Sequence, residues 1–175
     1  MREETNMRKI IAALAFAAII TPALGDAIET IDPKSAVEFV LSACLPAMDD
    51  LTSVERLAQE NKWFHLPTTA YESKYTTPHL KWRANGFFVT TWMFIKGNVP
   101  SCFVGLRPYK KVDRDGFFDA ISASVQLKLI SDRTLSTLRQ ETYEIIGERP
   151  LRLLFSSSTD DGIMFAASIY VDTPQ

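Results

Sequence analysis

From Leu80 to Arg107 the chain consists almost entirely of residues that favour β-structure, and the remaining segments have to be arranged around this stretch. Leu80 to Ala84 and Phe87 to Ile95 are separated by Asn85-Gly86, the pair that best tolerates the positive φ of a tight hairpin turn. Lys96 to Pro100 turns the chain again before a third strand, Ser101 to Arg107. The expected unit is a β-meander. Its middle strand places Phe88, Thr90, Trp92 and Phe94 on one face and Phe87, Val89, Thr91, Met93 and Ile95 on the other. Both sets are apolar, whereas an antiparallel strand with one wet face alternates apolar with polar. The strand is therefore covered on both sides, or covered on one and offered to a partner on the other. A domain of about 150 residues can cover such a strand completely, so burial on both sides is the expectation. In that arrangement a third helix covers one face and two amino-terminal helices the other, and Trp92 and Phe94 belong to the core. In the alternative, Phe88, Trp92 and Phe94 form an aromatic binding face.

The amino-terminal segment reads as an export signal. Arg2, Arg8 and Lys9 supply a positive start, Ile10 to Ile20 an apolar run shorter than the ~20 helical residues that span a bilayer, and Pro22 a break before Ala23-Leu24-Gly25. Cleavage is expected after Gly25, with Gly25-Asp26-Ala27 as a second small-x-small triplet and Met7 as an alternative start. The expected organisation is residues 1–25 as signal peptide and 26–175 as one domain, destined for a periplasmic or secreted location without stable membrane insertion. Its 16 basic and 19 acidic residues leave a net charge of −3. Nucleic-acid binding normally requires a strongly basic face, so that class of partner is not indicated.

Asp32-Pro33 is a helix start: the carboxylate can accept from first-turn amides, and proline fits the first helical position. Val37, Val40, Cys44, Met48 and Leu51 then recur at spacings of three and four. Pro46 predicts a stop or kink near Cys44. A second helix is expected from Thr52, with Glu55 reaching back as in a capping box and Val54, Leu57 and Ala58 buried. Phe64 to Pro78 reads as a loop with room for a short strand. Asp113 or Asp115 caps a third helix that turns Phe117, Phe118, Ile121 and Val125 inward. Ser131 to Leu138 is polar enough for a loop or short helix. Glu141 to Ile146, Leu151 to Ser156 and Ile163 to Val171 follow as strands, the last two joined through Asp161-Gly162, with Ile163, Phe165, Ala167, Ile169 and Val171 on the core side. The order α-α-β-β-β-α-β-β-β defines an α+β fold, an antiparallel β-meander sheet packed in two layers with helices.

Few residues could carry chemistry. Cys44 and Cys102 are the only cysteines, and an even count in an exported chain predicts a disulfide between the first helix and the third strand. His65 and His79, with Glu72 between them, are the acid-base candidates of a dispersed enzyme site. They lack the His-x-x-x-His or Cys-x-x-Cys unit of a metal centre, so no metal is assigned. No Gly-x-Ser-x-Gly turn, phosphate-binding loop or dinucleotide fingerprint is present, and no cofactor is implied. Ser156-Ser157-Ser158 with Asp160-Asp161 reads as a polar hairpin loop. The basic cluster of Arg107, Lys110, Lys111 and Arg114, with Asp113 and Asp115 among it, reads as a solvated rim rather than an anion site. The expected function is that of a small exported binding or accessory protein, acting on another envelope protein or on a second copy of itself. The alternative is a periplasmic enzyme using His65, Glu72 and His79.

Overall fold

A computed structural model describes residues 28–67, 77, 80–94, 98–107, 110–160 and 164–172. The segment expected to be a signal peptide and its expected cleavage site, Ile95, Asp161-Gly162 and Ile163 lie outside the described residues. The fold is α+β: among the described residues there are three helices and an eight-stranded antiparallel sheet. In chain order the elements are β1 (Glu29–Thr30), α1 (Pro33–Ala47), α2 (Thr52–Glu60), β2 (Phe64–Leu66), β3 (Leu80–Arg83), β4 (Phe87–Phe94) and β5 (Val99–Leu106), then β6 (Lys110–Lys111), α3 (Arg114–Ser124), β7 (Leu127–Leu135), β8 (Leu138–Ile145), β9 (Leu151–Ser158) and β10 (Met164–Val171). The sheet order is β2-β3-β4-β5-β10-β9-β8-β7, two four-stranded meanders joined through β5 and β10. A separate parallel pair, β1 with β6, ties the chain before α1 to the chain before α3.

The β3–β4 turn forms where Asn85-Gly86 places it, with Gly86 at φ 79°. A side chain there would be strained by that φ, and a Cβ would lie 2.8 Å from Ile31 Cδ1. Helix α1 is capped by Asp32, whose carboxylate accepts from Ser35 N at 2.8 Å. It does not stop at Cys44 but runs to Ala47, because Pro46 falls in the last turn, where removing one amide donor breaks little of the helix. The cap of α2 also differs from expectation. The N-cap is Leu51, which makes no side-chain cap bond; Asp50, one residue before it, accepts from Thr52 N at 2.9 Å and from the Thr52 hydroxyl at 2.6 Å. Asp113 rather than Asp115 caps α3, accepting from Gly116 N at 2.7 Å.

Two of these carboxylates, Asp32 and Asp50, are expected to make stability depend on pH. The Asp32 carboxyl lies below its usual value of 3.8 because it accepts from the backbone and then the hydroxyl of Ser35. Asp50 is lowered from the same value by the Thr52 hydroxyl and then the Thr52 amide. A carboxyl depressed in the folded state adds stability above its unfolded pKa and loses it as pH falls through the folded one. Melting temperatures followed by circular dichroism are therefore expected to hold steady above about pH 5 and to fall progressively below about pH 4. Asp32→Asn and Asp50→Asn should flatten part of that acid limb.

The largest departure from the sequence reading is β7. Ser131 to Leu135 is not loop or helix but the second half of a nine-residue edge strand, with a register shift between Leu129 and Ser131. Its residues are mostly solvent-exposed on both sides, so no apolar alternation marks it, and the bulge breaks the period that remains. The chain turns at Ser136 (φ 58°) and Thr137 before β8. On β10, Ala167 and Ile169 are fully buried on the core side, and a second register shift, between Met164 and Ala166, puts Met164 in the core as well.

All three helices lie against one face of the sheet. Register places Phe87, Val89 and Thr91 of β4 beside Leu106, Val104 and Cys102 of β5, and Cys102 is bonded to Cys44 of α1 with Cα atoms 5.3 Å apart. On this face Phe39 of α1 stacks on Phe87 at 4.3 Å, and Trp63, just after α2, packs on Phe39 at 5.3 Å. Phe117 of α3 stacks on Phe155 at 5.2 Å, and Phe118 meets Tyr143 at 5.3 Å. Ala36, Ala43 and Ala47 are fully buried along α1, and such small side chains let that helix sit close to its neighbours. The expectation that α1 and α2 cover the second face of β4 is therefore corrected. The disulfide fixes α1 on the Cys102 side of β5, and α3 already packs against α1 there.

Candidate functional site

With the helices on one side, the second face of β4 carries Phe88, Thr90, Trp92 and Phe94 away from the helical layer. Pairing sets these residues in rows across β4, β5 and β10. Phe88, Gly105 and Ala166 make one row; Thr90, Phe103 and Ser168 the next; Trp92, Ser101 and Tyr170 the third. Large rings thus alternate with small residues. Gly105 is small because a Cβ there would come within 2.8 Å of the Phe103 ring, which lies over it. The small residues between the rings are buried, Ser101 to 2% exposure and Thr90 to 7%, although none of the described helices lies above them. Phe88, Trp92, Phe103 and Tyr170 are themselves half-buried, and Phe94 is exposed. The Trp92 and Phe94 rings meet edge to face at 6.3 Å.

Toward the β2 edge the same face gains Phe64, 57% exposed, opposite Arg83 of β3. The Arg83 guanidinium sits 4.9 Å from the Phe64 ring centroid, a cation–π contact. Lys81 lies on this face two residues earlier. No Asp or Glu occurs in β2, β3, β4 or β5, so this half of the sheet presents aromatic rings with positive charge and no carboxylate of its own. The other half is mixed: Arg152 of β9 pairs with Asp172 at 2.5 Å and reaches toward Glu144 at 4.0 Å. Burial pushes the Tyr170 phenol above its usual pKa of 10.0 against the opposing pull of Arg152, so it stays protonated through the neutral range.

Phe88, Trp92 and Phe94 are brought together as a strand pattern requires. Phe64, Arg83, Phe103 and Tyr170 complete the face and were not singled out from sequence. Phe103 shares its alternation with Ser101 and Gly105 and was accessible to the same argument, but Phe64 and Tyr170 come from strands whose pairing partners only the fold reveals. Of the dispersed acid-base set, His65 is on β2, exposed, its ring 6.0 Å from Trp82. Glu72 and His79 lie outside the described residues. Among the described residues no three His, Cys, Asp or Glu side chains are grouped to hold a metal ion, and no helix is long and apolar enough to cross a membrane.

The basic cluster is divided rather than pooled. Lys110 pairs with Glu29 of β1, and Arg114 turns inward to Asp115 and Glu141. Arg107 stands elsewhere, lining a cleft at the end of α2. No protein-family model matches this chain, and no curated protein is similar to it; the functional reading rests on the fold and its side chains.

Proposed function

We propose that this protein is an exported binding protein that engages another envelope protein through the helix-free face of its sheet. The observation carrying this reading is the placement of Phe88, Trp92 and Phe94, with Phe64 and Arg83, on the face turned away from all three helices. Aromatic rings and arginine are the residues that dominate binding energy in protein interfaces, where rigid area is gained at small entropic cost. The absence of carboxylates within the strands β2, β3, β4 and β5 themselves, beside Lys81 and Arg83, favours a partner with an apolar segment bordered by acidic residues. The Cys44–Cys102 disulfide supports a compartment that is oxidising, in keeping with export to the periplasm or medium.

The test replaces Trp92 by Ala, alone and with Phe94→Ala. Trp92 is half-buried, so its loss should cost about 1–2 kcal/mol, well below the roughly 3–5 kcal/mol of a core aromatic. The complex captured by the wild-type protein from a periplasmic extract should weaken by ~10-fold or more and become weaker in high salt. Undiminished capture by the double variant would remove this face from consideration. Concentration-dependent dimerisation of the purified protein, lost in the same variant, would instead identify the occupant as a second copy of the chain.

A further inference from the structure

Apart from the sheet face, the chain builds a cleft of about 610 Å³ between the end of α2, the β3–β4 turn and the residue following β5. Lys62, Arg83 and Arg107 all line it, and no carboxylate is among its described lining residues. Phe39 and Trp63 supply an aromatic wall, and Asn61 a neutral amide. Two features set it apart from an ordinary cationic surface.

The first is Arg107. Its backbone N donates to Gly86 O at 2.9 Å, anchoring the residue beside the hairpin turn. Its side-chain Nε is buried and has no hydrogen-bond partner among the described residues. A buried donor without an acceptor is destabilising and calls for an explanation; Ser53 Oγ, Thr91 Oγ1, Arg152 Nη1 and Ser157 Oγ share this state, but of the five residues Arg107 alone lines the cleft. The second is Lys62. It occupies the left-handed position at the end of α2, with φ 54°. Trp63 N donates to Ala58 O at 2.8 Å and Lys62 N to Gln59 O at 3.2 Å, the bond pair of a Schellman motif. Glycine is the residue that motif prefers at this position, so a lysine there gives up conformational ease and places a positive charge at the cleft.

We infer that this cleft is a binding site for a small organic anion, a carboxylate or phosphate monoester with a flat apolar end. The anion would meet the charges of the Arg107 guanidinium and of Lys62, while its apolar end packs on Trp63 and Phe39. The cleft is distinct from the proposed docking face; Arg83 borders both, with its guanidinium over the Phe64 ring on the sheet face.

The probes are benzoate and phenyl phosphate, with benzyl alcohol as the neutral control, titrated into the full exported chain and followed by two-dimensional NMR. Saturable shifts centred on the Trp63 indole are expected for the anions and not for the alcohol, and the tighter of the two anions distinguishes carboxylate from phosphate. Arg107→Met should weaken binding by about 10-fold or more, from loss of a charge-assisted hydrogen bond. Lys62→Gly is the companion variant because it relieves the left-handed strain, so weakened binding accompanied by an unchanged or higher melting temperature cannot be ascribed to unfolding. Binding of benzyl alcohol equal to that of the anions, anion shifts unaffected by both variants, or no saturable shift at all would overturn the assignment. Since neither Lys62 nor Arg107 belongs to the docking face, these results leave the capture experiments with Trp92 unaffected.

Discussion

Replacing Cys44 and Cys102 together by Ala is expected to lower the free energy of unfolding by about 4 kcal/mol. The bond closes a loop between residues 58 positions apart, and in the chain-entropy description a loop of that size removes about this much freedom from the unfolded chain. Against a total of about 5 to 15 kcal/mol for a domain of this kind, the variant should remain folded only marginally, if at all, at 37 °C. The bond is the covalent link between α1 and β5, and α1 is in turn the element on which α2 and α3 pack. Denaturant titrations of oxidised and reduced wild-type protein, beside the double variant, measure the difference. Thiol titration of denatured, unreduced protein should find no free thiol. A loss below about 1 kcal/mol would show that the helical layer holds its place without the bond.

A second large effect is expected at Arg114. Its guanidinium grips the Glu141 carboxylate at 2.6 and 2.8 Å, with its Nε at 3.2 Å. Glu141 is 2% exposed, and it also accepts from the Tyr143 hydroxyl at 2.9 Å and faces Arg139 at 3.2 Å. Burial, and then the bond to Glu141, push the Tyr143 phenol well above its usual range, so it remains a donor at every pH the protein is expected to meet. Arg114→Met leaves the buried carboxylate without its main counter-charge, and a loss of about 3–5 kcal/mol should follow. The triple variant Arg114→Met, Glu141→Leu, Tyr143→Phe removes every group of the trio at once and should recover most of that loss, since apolar side chains of similar volume can replace a buried ion pair at little net cost. Equilibrium unfolding of the single and triple variants provides the comparison. Equal destabilisation in both would mean that the trio acts through shape rather than charge.

Arg114 also marks the boundary between what a linear reading reaches and what it does not. In sequence it stands between Asp113 and Asp115 beside Lys110 and Lys111, and such a cluster reads as a solvated rim. Its actual partner is 27 residues away on β8, and a pairing over that distance depends on where α3 crosses the sheet. The same holds for β7. An edge strand in contact with solvent on both sides needs no apolar alternation, so its sequence carries little record of its structure. Strand pattern, helix starts and cysteine parity are local or compartmental signals, and these were legible.

The sequence by itself determined the α+β class, the meander from Leu80 onward, the start of α1 at Asp32-Pro33 and the cysteine pair, because each follows from side-chain period, turn chemistry or redox parity over a short span. It also divided β4 into its two apolar faces, Phe88, Trp92 and Phe94 on one and Phe87 and Val89 on the other. Which of those faces the helices would cover was decided only by tertiary structure. Two apolar faces of one strand are equivalent until other elements choose between them, and the choice rested on Cys102 pointing with Val89 rather than with Trp92, on α3 packing beside α1, and on the crossover that sent β7 to the far edge of the sheet.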